Sequence, residues 1–242
     1  MGVLFAALGD LHGPSAYLEM ALEAIARRKA EMHAVLLVGD IGPDAGGRGR
    51  AYDYQRHLAA IQATLSRFEP LGLELVWVPG NHDPDELPLP GNVDRVYRPV
   101  EIAGVRIAGI GGAGPARFGF PYEWSEEEIR RRAVPECDIL ISHAPPKDTP
   151  LDSVAYDRDK HVGSEAIRER AEAHEGLMLC GHIHESAGAV QLGRCLVANL
   201  GSLGQPYPQP RVAWVGRNES DGTFHVALEH LETGHMEEWR HT

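Results

Sequence analysis

Only three cysteines occur among the 242 residues, Cys137, Cys180 and Cys195, and none stands at the spacing of a zinc clip or redox pair. That excludes a disulfide framework and a thiolate metal cluster. An odd, sparse set suits a reducing compartment, with each cysteine acting as a small buried hydrophobe. Long apolar runs are missing too. No stretch approaches the roughly 20 residues of a membrane span, and Val3 to Leu8, the run before the first polar block, is too brief for the hydrophobic region of a secretion signal. A soluble, cytoplasmic protein is expected. There is no basic block either: 23 Lys and Arg against 35 Asp and Glu leave a formal net charge of -12, with short basic runs such as Arg130-Arg131-Arg132. Such a balance disfavours general nucleic-acid binding through the phosphate backbone, and none is expected. Internal repeats and low-complexity tracts are also absent. With 43% hydrophobic residues the chain can bury one sizeable core, which predicts a single domain over residues 1–242.

What is present is a series of apolar runs that do not alternate with polar residues: Val3 to Leu8, Ala34 to Val38, Leu73 to Val78, Ile139 to Ile141 and Leu177 to Cys180. Unbroken runs of this length read as strands buried on both faces. Helical stripes lie between them, with Leu18, Leu22 and Ile25 in the first and Leu58, Ile61, Leu65 and Phe68 in the second. Strand, helix, strand alternation predicts parallel pairing and an α/β fold. Ser125 with Glu128 forms a capping box before Ile129, and Ser164 precedes a stripe through Ala166, Ile167 and Ala171. Beyond Gly181 the helical signal stops. Cys195 to Leu200, Arg211 to Val215 and Phe224 to Leu231 read as short strands of an antiparallel second sheet, and Pro206, Pro208 and Pro210 mark a surface loop.

Each of the first five runs ends at a polar block: Gly9-Asp10-Leu11-His12-Gly13, Gly39-Asp40, Gly80-Asn81-His82-Asp83, Ser142-His143-Ala144 and Gly181-His182-Ile183-His184. The donors are Asp10, His12, Asp40, Asn81, His143, His182 and His184. This mixed nitrogen and oxygen set suits divalent transition metals, manganese foremost, with iron, zinc or cobalt as alternatives, rather than an all-oxygen cage. Any single block is weak, because a Gly-Asp after a strand is usually a turn and His-x-His is usually a pair of surface histidines. Five in order, each closing an apolar run, form a constellation.

In that order and content the chain resembles the calcineurin-like metallophosphoesterases, from its first strand to about Ser202. The resemblance implies two packed mixed β-sheets flanked by helices, a four-layer sandwich. It also implies two metal ions, the first held by Asp10, His12, Asp40 and His184, the second by the bridging Asp40 with Asn81, His143 and His182. Catalysis would follow through a metal-bridging hydroxide delivered to phosphorus. Two aspartates against two dications leave the pocket net positive, so an acidic protein can still bind an anionic ester. His82 would then protonate the leaving oxygen or stabilise the transition state, with Asp44 as its orienting partner by analogy with the phosphatase branch, where the spacing from Asp40 is one residue longer. The expected substrate is a small phosphodiester, since there is no cap domain or basic track. A phosphomonoesterase, a nucleotide pyrophosphatase and a non-catalytic scaffold are the alternatives.

Two other signals compete with these blocks. Gly109-Ile110-Gly111-Gly112-Ala113-Gly114 formally matches a dinucleotide fingerprint, but Pro115 and the aromatic stretch Phe118 to Trp124 follow where a helix would have to begin. That stretch is expected to pack its rings onto the core, with a rim over the metal pocket as the functional alternative. His33, His57, His174, His225, His230, His235 and His241 are expected to be solvated. His161 stands where it either caps a helix or meets a phosphate.

Overall fold

In a strand buried on both faces, alternate residues enter different cores, and β1 (Val3–Leu8) does so: Phe5 and Ala7 join one apolar cluster, Ala6 and Leu8 another. The computed structural model describes residues 3–46 and 52–241. After β1 come α1 (Ala16–Arg28), β2 (Ala34–Leu37), α2 (Tyr54–Ser66), β3 (Glu74–Trp77), β4 (Val100–Ile102), β5 (Val105–Ile110), α3 (Glu126–Arg131) and β6 (Ile139–Ser142). The chain continues through β7 (Ser153–Val154), β8 (Asp157–His161), α4 (Glu165–Ala173), β9 (Gly176–Cys180), β10 (Gly188–Leu192), β11 (Cys195–Asn199), β12 (Arg211–Arg217), β13 (Phe224–His230) and β14 (Met236–Arg240).

Two six-stranded mixed sheets result, in the orders β14-β13-β12-β1-β2-β3 and β10-β11-β9-β6-β5-β4. Between them Phe5, Leu36, Val76 and Val78 of the first face Ile107, Ile141, Leu179 and Leu196 of the second. Outside the first sheet, Leu18 and Ile25 of α1 and Ile61 of α2 pack on Leu8, Leu37 and Trp77. Outside the second, Ile129 of α3 and Ile167 of α4 pack on Leu140 and Met178. The architecture is therefore the four-layer sandwich. The local signals act as expected: Ser125 and Glu128 close a capping box on α3, and Ser164 Oγ caps α4 by accepting from Ile167 N at 3.1 Å. All three cysteines are buried, and burial pushes the thiols of Cys137 and Cys195 up to about 11 and about 12, which leaves them inert at neutral pH.

The strands after Gly181 do not form a separate antiparallel sheet. β11 pairs in parallel with β9 inside the second sheet, whereas β12 pairs antiparallel with β1 and brings β13 and β14 into the first. An apolar run reports how deeply a strand is buried and is silent about its neighbour, so the late strands divide between two sheets without any change in local pattern.

Candidate metal centre

The parallel strands β1, β2, β3, β6 and β9 end together, and the polar blocks that follow them converge at one edge shared by both sheets. Three of the predicted donors sit in left-handed backbone, His12 (φ 49), Asp40 (φ 47) and His182 (φ 67). Such positions are strained by about 1–3 kcal/mol each outside glycine and persist only where surrounding structure enforces them. Here the loops enforce one another: His12 N donates to Asp40 O at 2.8 Å, Gly181 N to His143 O at 3.0 Å, and His182 N to Asp10 Oδ2 at 2.6 Å. Glycine is required where they touch. A Cβ on Gly80 would lie 2.0 Å from Asp40 Oδ1.

All seven predicted donors come together. Asp10 Oδ2 is 3.3 Å from His184 Nε2, which is 3.2 Å from His12 Nε2. Asp40 Oδ2 lies 3.6 Å from His12 Nε2 and 3.5 Å from His143 Nε2. Asn81 Oδ1 is 2.9 Å from His143 Nε2, and the His182 ring centre is 5.1 Å from that of His143. Two donor groups within 4.8 Å could hold a metal, His12-Asp40-His184 and Asp10-Asp40-His143, and Asp40 belongs to both.

Backbone carbonyls set the histidine tautomers. His143 Nδ1 donates to Val38 O at 2.9 Å and His184 Nδ1 to Pro206 O at 2.5 Å, so the Nε2 lone pair of each points inward. The His184 Nε2 lone pair then turns toward His12, and that of His143 Nε2 faces the Asn81 oxygen. Asp10 Oδ1, fully buried, has no hydrogen-bond partner. Inward lone pairs and an orphaned buried carboxylate oxygen are what a bound cation would satisfy, so the donor set fits a metal site.

Residues 3–186 match the family model described as calcineurin-like phosphoesterase. The chain belongs to that family. A stretch of 140 residues, 52% of this chain, is 36% identical to an uncharacterised protein of Methanocaldococcus jannaschii and covers 63% of it. A cAMP/cGMP dual specificity phosphodiesterase of Mycobacterium tuberculosis is 28% identical over 188 residues, 71% of this chain and 55% of the relative. The chain thus spans less than two thirds of the length of these curated relatives. Among solved structures, the E. coli phosphoesterase Yfce superposes with a TM-score of 0.52 at 13% identity, covering 99% of this chain and 100% of that one. Zinc-complexed Vps29 of Entamoeba histolytica gives 0.52 at 16% identity and 98% coverage of both. These last two likenesses are of fold.

In this member of the calcineurin-like phosphoesterase family the site's electrostatics are those of two buried carboxyl groups pushed in opposite directions. Burial, and then the neighbouring Asp40, drive the Asp10 carboxyl well above the carboxylate range. Burial acts on Asp40 in the same sense but is outweighed by His143, His82 and His12, which hold it below that range. Burial lowers His12 to about 4 and His182 to about 3, and lowers His184 as well, so these imidazoles are neutral at pH 7.

His82 stands beside the donors rather than among them. Its Nδ1 is 2.9 Å from Asp44 Oδ1, the pairing expected by analogy, and its ring packs edge-on against His12 at 5.3 Å. His57, expected in solvent, is instead buried, with Nε2 3.8 Å from Asp83 Oδ1. It projects from the buried face of α2 against Gly42, where a Cβ would meet its Nε2 at 2.5 Å. His174 and His230 are half-buried, whereas His33, His225 and His235 are exposed. His161 meets a carboxylate, Asp152 Oδ1, at 2.7 Å. No helix follows the glycines of 109–114 until α3, so the dinucleotide geometry is absent among the described residues.

Asp83 is a buried support that the motifs leave without a role. Its buried carboxylate accepts from Ile41 N, Gly42 N and Gly80 N, each at 2.9 Å, and so ties the loop carrying Asp40 to the loop carrying Asn81. Its place directly after Asn81-His82 is the one sequence signal that points to it. Asp83→Ala orphans three buried N–H groups at about 1–3 kcal/mol each, so a stability loss of about 3 kcal/mol or more is expected. For a chain of this size that lowers Tm by about 6–12 °C. A calorimetric melt and metal analysis check it. An unchanged Tm would remove Asp83 from this role.

Proposed function

We propose that this phosphoesterase hydrolyses a small phosphodiester at two divalent transition-metal ions. The observation that carries the reading is Asp40: one carboxylate oxygen stands between the inward nitrogens of His12 and His143, as a ligand shared by two ions would. Asp10, His12, Asp40 and His184 would hold the first ion, and Asp40, Asn81, His143 and His182 the second. Ions bound there would neutralise phosphoryl charge and acidify a coordinated water, so no side-chain base is needed. The protein's own part is orientation and proton delivery. The Val38 and Pro206 carbonyls fix two ligand rings, Asp83 fixes two ligand loops, and Asp44 places a carboxylate oxygen 2.9 Å from His82 Nδ1, leaving Nε2 to exchange a proton with the leaving oxygen. Similarity to a cyclic-nucleotide phosphodiesterase supports the diester over the monoester.

A chelator is expected to abolish hydrolysis, and manganese to restore it better than magnesium because four of the seven donors are imidazoles. An aryl phosphodiester should turn over faster than the matching monoester, whose dianion binds the centre tightly and leaves slowly. Strong preference for the monoester in a steady-state assay would overturn the substrate class. Cleavage of neither ester by the metal-loaded protein would favour a scaffold.

A further inference from the structure

The aromatic stretch after Gly114 divides in two. Tyr122 and Trp124 are buried to 2% exposure and act as anchors: Tyr122 Oη donates to Asp94 at 2.7 Å and Trp124 Nε1 to Gly111 O at 2.9 Å. Phe118 is 48% exposed and Phe120 half-buried, and neither belongs to a core cluster. Both rings instead line a cavity of about 310 Å³ together with Ala113, Gly114 and two of the candidate metal donors, Asn81 and His182. Its position is held from the site itself, since Tyr122 N donates to Asn81 O at 3.2 Å.

The remaining lining group, Glu123, accepts from Phe118 N through both oxygens at 3.1 Å and from Gly119 N at 2.8 Å. Its carboxylate is spent on the loop, and the surface left to a ligand is mainly ring face and aliphatic carbon. Arg117 covers one face of Phe118, its guanidinium carbon 4.9 Å from the ring centre. Phe120 lies against His82, ring centres 4.3 Å apart. Because Asn81 and His182 line the same cavity as both rings, a group carried by an ester bound at these donors would reach Phe120 and Phe118. The volume is at the low end for small-molecule sites and suits one ring system whose phosphate remains outside at the metal donors.

Resting on the phosphodiesterase reading above, we infer that this cavity receives a planar aromatic group of the ester, stacked on Phe118 and Phe120. Stacking is tolerant of ring identity because any aromatic presents a π face, so the cavity selects rings over alkyl chains rather than one ring over another.

Phenylphosphonate and methylphosphonate carry the same charged group and differ by the ring. In calorimetric titration of the metal-loaded protein, phenylphosphonate is expected to bind about ten-fold more tightly. Phe118→Ala, distant from His82, should remove most of that preference while methylphosphonate affinity stays unchanged. Phe118→Leu, which keeps bulk without a flat face, should retain part of it. Equal affinities in the wild type, or a preference surviving the Phe118→Ala, Phe120→Ala double variant, overturn the inference. Failure of the phosphodiesterase reading registers elsewhere, as absent hydrolysis of bis(4-nitrophenyl) phosphate, while the phosphonate ratio still reports on the cavity.

Discussion

Asp40→Ala is expected to empty both metal positions together and to abolish hydrolysis, because among the described residues no other side chain belongs to both donor groups. Two dications held about 4 Å apart repel by about 16 kcal/mol at an effective dielectric of about 20, four times the value for unit charges, and a shared carboxylate is what offsets that repulsion. The same residue also receives the His82 N–H at 2.9 Å, so its loss frees the start of the His82 loop as well. Asp40→Asn is the matching control, since asparagine tolerates the left-handed backbone at this position. It should fold with near-normal stability yet lose metal. Metal analysis after gel filtration reads the outcome, and two tightly bound equivalents retained by the alanine variant would sink the shared-ligand assignment.

His82→Ala should separate chemistry from binding. The ring is not within either donor group, so metal content should stay near normal while turnover falls about 10²–10⁴-fold, the usual worth of a positioned proton donor. The deficit should shrink for diesters whose leaving group is already a weak base, because little protonation is needed there. An equal deficit across leaving groups would assign His82 to charge stabilisation instead. Asp44→Asn should give a smaller loss of the same character, since it removes the charge beside Nδ1 and leaves the ring in place.

Much of the site is legible in the sequence because its chemistry is written in short blocks. Asp10 and His12, or His182 and His184, are close along the chain and follow apolar runs, so a local pattern reveals them. The supports are not legible. The carbonyls that orient His143 and His184 belong to Val38 and Pro206, 105 and 22 residues away, and a backbone carbonyl leaves no mark in residue identity. His57 reads as solvated from its polar neighbours Gln55 and Arg56, yet it stands four residues before Ile61 on the buried stripe of α2, and that face of the helix meets Gly42 and Asp83. The aromatic stretch carries two roles under one composition: Tyr122 and Trp124 have polar atoms that find buried partners and anchor the loop, and Phe118 and Phe120 line a cavity.

Residue identity and short-range pattern suffice for the set of reactive groups, the strands buried on both faces and the caps that start α3 and α4, all consequences of neighbours within a few residues. Long-range packing decides that β11 joins β9 while β12 joins β1, that Asp40 stands between His12 and His143, and that His82 has Phe120 on one side and Asp44 within ionic reach. The cause is range. Apolar periodicity encodes how deeply a segment is buried, but pairing, register and the meeting of charges are set by contacts between segments tens to more than a hundred residues apart, where the free energy depends on the whole packed assembly.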